Sequence, residues 1–234
     1  MMQKQYKHLF FDLDRTLWDF DANNRQTFTD LHHHFSLSQR GVMDALDFYT
    51  RYQPINMGLW DLYKKQQIHR DELNFKRFYD TLMLFEIADE KLALEMGNYY
   101  VKQSPLQTLL YPHTHQILET LHRKYQLHII TNGFEDVQYI KIEKCNLGKY
   151  FTNIITSERA GFKKPDKRIF EFAMSEAGAT VEESILIGDD PEADITGAMY
   201  SGMDQIWVKH PPVKESVHIP TFEVNTLKEI LDIL

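Results

Sequence analysis

One cysteine among 234 residues, Cys145, cannot close an internal disulfide, so nothing here requires an oxidising compartment. No run approaches the ~18 consecutive apolar residues of a membrane span. The opening stretch MMQKQYKHLFFDLDRT reaches Asp12 before an apolar signal region can form, so a secretory leader is not expected. Positive charge is also short: 26 Lys and Arg stand against 34 Asp and Glu, a net charge of −8. A phosphate backbone needs a basic footprint, so nucleic acid is not the expected partner. Internal repeats and low-complexity tracts are missing as well. A cytoplasmic globular protein, without a membrane or nucleic-acid partner and monomeric or weakly dimeric, is the expectation. Its length and its 43% hydrophobic composition suffice for a sizeable core.

Periodicity divides the chain. Lys7 to Leu13 is short, apolar and aromatic, and reads as a buried strand running into acidic residues. From about Asn23 to Gly97 strand-like runs nearly vanish and Pro54 is the single proline. Leu59, Leu62 and Tyr63, then Leu73, Phe75, Phe78 and Leu82, recur at helical spacing, which predicts a bundle of about four helices. After Pro105, helix and strand alternate. Helices are expected at 115–124, 136–144, 166–177, 193–201 and from a cap at Asn225 to the end, with strands at 127–131, 153–156, 184–187 and 205–208. Such alternation implies right-handed crossovers and a parallel sheet. The fold expected is therefore α/β, a Rossmann-like doubly wound sheet (1–17 and 101–234) with an inserted α-helical domain (18–100). An insertion directly after the first strand belongs at the carboxyl edge of the sheet, where ligands bind.

Four polar sets follow four of the predicted strands: Asp12-Leu13-Asp14-Arg15-Thr16, Thr131-Asn132-Gly133, Lys163-Lys164-Pro165, and Gly188-Asp189-Asp190-Pro191-Glu192-Ala193-Asp194. Parallel strands bring all four to one edge. Asp12, Asp14 and Asp189 make an oxygen-rich cluster suited to Mg²⁺, and the absence of Cys and His from these sets argues against zinc. Lys164 offers a point charge for phosphate. Thr131 offers a hydroxyl, and the amides of Asn132 and Gly133 head a helix whose N-terminus favours an anion. A carboxylate attacking a phosphate monoester meets a repulsion of about 4 kcal/mol per charge pair at about 4 Å and an effective dielectric near 20. A cation and a lysine cancel it. Asp12 then serves as nucleophile, and Asp14 as the acid and later the base.

These motifs resemble those of the haloacid dehalogenase-like hydrolase superfamily: D-L-D-R-T from Asp12, I-T-N-G from Ile130, K-K-P-D-K-R-I-F from Lys163 and I-G-D-D-P-E-A-D from Ile187, in order along the chain. The insertion between the first two is similar to the C1 type of cap. The resemblance implies an Mg²⁺-dependent phosphomonoesterase with Asp12, Asp14, Thr131 and Lys164 as catalytic residues. It implies Asp12, Asp14 and Asp189 at the metal, and Thr131, Asn132, Gly133 and Lys164 at the phosphate. Asp190 and Asp194 both stand open as the metal's support. L-W-D-F-D-A-N-N from Leu17, N-M-G-L-W from Asn56 and Arg77-Phe78 are similar to the pyrimidine 5′-nucleotidase branch. That makes Trp18, Phe20, Asn56 and Trp60 candidates for the leaving-group pocket and a nucleoside 5′-monophosphate the leading substrate.

Other functions on this scaffold are a sugar-phosphate phosphatase, a phosphomutase, a 2-haloacid dehalogenase and a non-catalytic binding protein. A dehalogenase has no use for Asp14 or a metal, and a binding protein has none for Asp12. Three consecutive histidines, His32 to His34, point three ways on a helix and read as solvated or half-packed. Lys163 and Arg15 are expected to reach solvent, and Cys145 to be a small buried hydrophobe.

Overall fold

The structure, a computed structural model, describes residues 4–210, 216 and 218–234. The first strand shows why the sheet is covered on both sides. β1 (His8–Phe11) is buried at all four positions. Leu9 and Phe11 enter one apolar cluster and Phe10 enters another, as alternation across a strand requires. β2 (Gln126–Thr131), β3 (Phe151–Thr156), β4 (Ser184–Gly188), β5 (Asp204–Val208) and β6 (Phe222–Val224) complete a sheet of order β3-β2-β1-β4-β5-β6. Every pairing is parallel. The doubly wound expectation holds, with one strand more than the sequence pattern showed: β6 has three residues and little periodicity.

The chain forms two compact units, residues 1–20 with 108–234, and residues 21–107. The sheet lies in the first. Its helices are α5 (Thr114–Leu121), α6 (Glu135–Lys144), the short α7 (Ser157–Ala160), α8 (Lys167–Ala177) and α9 (Gly197–Tyr200). Ile117, Leu118 and Leu121 of α5 pack with Leu9 and Phe11, whereas Ile169, Phe170 and Ala173 of α8 pack with Phe10. The expected C-terminal helix is a 3-10 turn at Leu227–Asp232, and the residue before it is Thr226 rather than Asn225. The expected helix from Ala193 begins instead as a π-helical turn over Pro191–Thr196.

The second unit is helical, as the pattern implied: α1 (Phe20–His34), whose first residue belongs to the other unit, α2 (Ala45–Lys64), α3 (Arg70–Met83) and α4 (Glu90–Gln103). Asp44 and Asp89 cap α2 and α4 by accepting backbone amides. Phe28, Phe48, Tyr52, Phe78, Leu82, Met96 and Tyr100 form its core. Of the predicted stripes, Leu59, Tyr63, Leu73, Phe78 and Leu82 are buried, whereas Leu62 is exposed. His32 is buried with its ring at 2.7 Å from the Val42 carbonyl, whereas His33 and His34 are exposed. The division falls at 20/21 and 107/108, not at 17/18 and 100/101. Trp18 belongs to the core of the sheet unit, and 101–107 complete α4 and the turn after it.

Candidate active site

The parallel register lets the ends of β1, β2 and β4 finish together. Phe11 is level with Ile129 on one side and Ile187 on the other. The Asp12 amide donates to the Ile187 carbonyl at 2.9 Å, which extends the ladder one residue and fixes where the Asp12 side chain leaves the backbone. Thr131 closes β2, and Asp189 follows β4 directly. The Lys164 loop is tied to the end of β2 by a two-way bond. The Lys164 amide donates to Asn132 Oδ1 at 2.8 Å, and Asn132 Nδ2 donates to the Lys164 carbonyl at 2.9 Å.

Buried Lys164 lies between two buried carboxylates, 2.6 Å from Asp12 Oδ1 and 2.5 Å from Asp194 Oδ1. Burial alone would lower its affinity for a proton, but Asp12 and Asp194 outweigh burial and hold the ammonium above its usual range. Burial pushes the Asp12 carboxyl well above the carboxylate range against the pull of Lys164, and the Asp194 and Asp14 charges push the same way. Thr16 Oγ1 lies 3.2 Å from Asp12 Oδ2 and 3.4 Å from Asp189 Oδ1. Gly188 is necessary here, because a Cβ on it would stand 2.4 Å from Asp194 Oδ2.

Asp12, Asp189 and Asp194 each offer an oxygen, all within 4.8 Å of one another. This donor set is hard, anionic and free of sulfur and imidazole, which fits Mg²⁺ and not zinc. Lys164 brings one positive charge to the two carboxylates it faces, Asp12 and Asp194, which leaves an excess of negative charge there. A divalent cation is suited to relieve it.

The neighbouring acidic residues have partners of their own. The Asp14 carboxylate accepts from Gln138 Nε2 at 2.7 Å and from Lys141 Nζ at 2.5 Å. Asp190 and Asp194, left open above, have different surroundings. Asp190 caps the π-helical turn, accepting the amides of Glu192 at 3.0 Å and Ala193 at 2.9 Å, while Asp194 faces Lys164.

The other expected residues are also placed. The Gly133 amide donates to Thr131 Oγ1 at 3.2 Å, so in this structure it serves the threonine. Trp18 is fully buried, with Lys141 Nζ 4.1 Å from its ring centroid, so a stacking role for it gives way to packing. Phe20 is half-buried, and Arg15 lies 4.4 Å over its ring instead of in solvent. Arg15 has φ 65°. Lys163 is half-buried; burial lowers its proton affinity and Glu158 opposes this. Within the helical unit, Asn56 is buried and accepts from Tyr52 Oη at 3.1 Å, and half-buried Trp60 packs edge-on against Tyr63. Burial pushes the Cys145 thiol up to about 11, with Lys141 opposing. Among the described residues no helix is long and apolar enough to cross a membrane.

Sequence reasoning missed Gln138 and Lys141. In the structure both are buried with Ile142 on α6, directly after the second motif.

A parallel sheet with a helical insertion after β1, and four polar sets at its carboxyl edge, define a hydrolase of known type. Residues 9–208 match the model of the haloacid dehalogenase-like hydrolase family, and the chain belongs to that family. It is 33% identical to the pyrimidine 5′-nucleotidase PynA of Streptococcus pneumoniae over 98% of this chain and 95% of that protein. It is 32% identical to the pyrimidine 5′-nucleotidase YjjG of Escherichia coli over 97% and 96%. The magnesium-bound crystal structure of the HAD-hydrolase YfnB from Bacillus subtilis superposes with a TM-score of 0.87 at 28% identity, covering 99% of each chain.

Proposed function

We propose that the chain is an Mg²⁺-dependent phosphomonoesterase that works through an aspartyl-phosphate on Asp12, with pyrimidine nucleoside 5′-monophosphates as the leading substrates. The observation that carries this reading is the buried Lys164 between Asp12 and Asp194, with Asp189 beside them and Asp14 and Thr131 joined through Gln138. The nucleotidase names of two relatives over nearly the whole chain support the substrate class.

Asp12, Asp189 and Asp194 would hold the metal, which when bound supplies positive charge against the substrate phosphate. Lys164 keeps its proton among two carboxylates and presents a fixed cation at Asp12. Thr131 Oγ1 supplies a hydroxyl at the end of β2. An Asp12 oxygen attacks phosphorus while the bond to the leaving oxygen breaks, and the proton on Asp14 passes to that oxygen. Water then attacks the aspartyl-phosphate, Asp14 takes its proton, and inorganic phosphate leaves Asp12. Asn56 and Trp60 are the pocket residues we assign to the helical unit.

The test is phosphate release from a panel of nucleoside monophosphates and sugar phosphates, with Mg²⁺ and with EDTA. Release from pyrimidine monophosphates should need Mg²⁺ and fall by about a thousandfold or more in Asp12→Asn. A preference for sugar phosphates would overturn the nucleotide assignment alone. No release from any ester by folded, Mg²⁺-loaded protein would overturn the phosphatase.

A further inference from the structure

Asp14 is held from two sides by one helix. Gln138 and Lys141 lie three residues apart on α6, and both are buried. Lys141 Nζ donates to Asp14 Oδ1 at 2.5 Å, and Gln138 Nε2 donates to Asp14 Oδ2 at 2.7 Å. The same Nε2 donates to Thr131 Oγ1 at 2.8 Å. One amide therefore links the Asp14 carboxylate to the hydroxyl at the end of β2.

Three features tie this arrangement to Asp14 and not to packing in general. Gln138 Oε1 is buried without a partner, so the amide is oriented by what its donor end reaches. A Cβ on Gly133 would stand 1.8 Å from Gln138 Nε2, so the glycine of the second motif is the space the amide occupies. Lys141 Nζ stands 4.1 Å from the Trp18 ring centroid and 5.8 Å from that of Phe20. Aromatic faces attract the ammonium without supplying a second carboxylate that would compete with Asp14.

We propose that Lys141 and Gln138 are positioning residues for Asp14, fixing its carboxyl group beside Thr131 so that it meets the oxygen of the leaving group. This rests on Asp14 being the proton donor of the phosphatase proposed above. Neither residue exchanges an atom with the substrate. When the phosphorus–oxygen bond of the ester breaks and the Asp14 proton goes to the departing oxygen, the carboxylate left behind already faces the Lys141 ammonium.

The readout is the leaving group. An alkyl oxygen departs poorly without a proton, whereas p-nitrophenolate departs without one. Misplacing Asp14 should therefore harm an alkyl ester more than an aryl ester, and a general loss of structure should harm both alike. Lys141→Met keeps the stem against Trp18 and removes the charge. In saturating Mg²⁺ it should lower kcat on uridine 5′-monophosphate by about a hundredfold and on p-nitrophenyl phosphate by less than about fivefold, with KM changed by less than about threefold. Lys141→Arg should restore at least about tenfold of the alkyl-ester loss. Gln138→Leu should show the same bias, and it carries the test if Lys141→Met fails to fold. Equal losses on the two esters, or none, would overturn the positioning role while the phosphatase stands. A wild-type protein inert toward both esters would overturn the two together.

Discussion

Lys164 pairs with two carboxylates in a place shielded from water. Its side chain is 2% exposed, and Asp12 and Asp194 are likewise buried. Removing one partner of a buried ion pair leaves uncompensated charge and costs about 3–5 kcal/mol. Lys164→Met should therefore lower stability by about 3 kcal/mol without Mg²⁺, or roughly 10 °C in Tm for a chain of this size. Saturating Mg²⁺ should recover part of it, because a cation on the same carboxylates replaces the lost charge. Thermal unfolding with EDTA and with Mg²⁺ measures both effects, and a loss under about 1 kcal/mol would show that the carboxylates are relieved in another way. At this scale the sequence was readable where chemistry restricts residue type. Asp12, Lys164 and Asp189 could be placed because a strand end brings them together. Lys141 and Gln138 could not, because a lysine and a glutamine on an amphipathic-looking helix carry no mark of pointing inward. Trp18 misled for the opposite reason: an aromatic beside a motif looks like a ligand contact, and here it packs in the core beneath Lys141.

Among the elements, the turn after β4 separates what the run of acidic residues left joined. Asp194 and Ile195 both donate backbone amides to the Asp190 carbonyl, at 2.9 and 3.2 Å, the wider winding of a π-helical turn. That winding faces Asp194 toward Lys164 and leaves Asp190 at the N-terminus, where its carboxylate accepts two amides. No periodicity in six residues encodes such a turn, so the sequence suggested an ordinary helix and could not choose between the aspartates. Asp190→Ala should cost about 1 kcal/mol, the usual worth of such a cap, and Asp190→Ser should recover most of it. The Mg²⁺ dependence of Tm should survive in Asp190→Ala and disappear in Asp189→Asn. If Asp190→Ala abolished it instead, Asp190 would be a ligand and its capping bonds incidental.

For the whole molecule, both units were legible in outline because their periodicities differ: helical spacing through residues 23–97, short apolar runs before and after. The sheet also holds a pair of groups that makes stability depend on pH. His8 of β1 and His128 of β2 bring Nδ1 and Nε2 to 3.1 Å, with Phe10 stacked on the His128 ring. Only one proton fits between the two nitrogens. Burial lowers His128 from 6.5 to about 4, and His8 adds to this. Burial lowers His8 too; Glu183 opposes this and Lys7 reinforces it. A group whose folded value lies below its unfolded one binds more protons when unfolded, so its contribution is lost as pH falls between those values. Asp12 is shifted upward and works in the opposite sense, so the wild-type curve alone does not isolate the histidines. Unfolding by urea at about pH 7 and about pH 5 should show His128→Gln losing about 2 kcal/mol less than the wild type. An equal loss in both proteins would place the pH sensitivity outside the sheet's histidine pair.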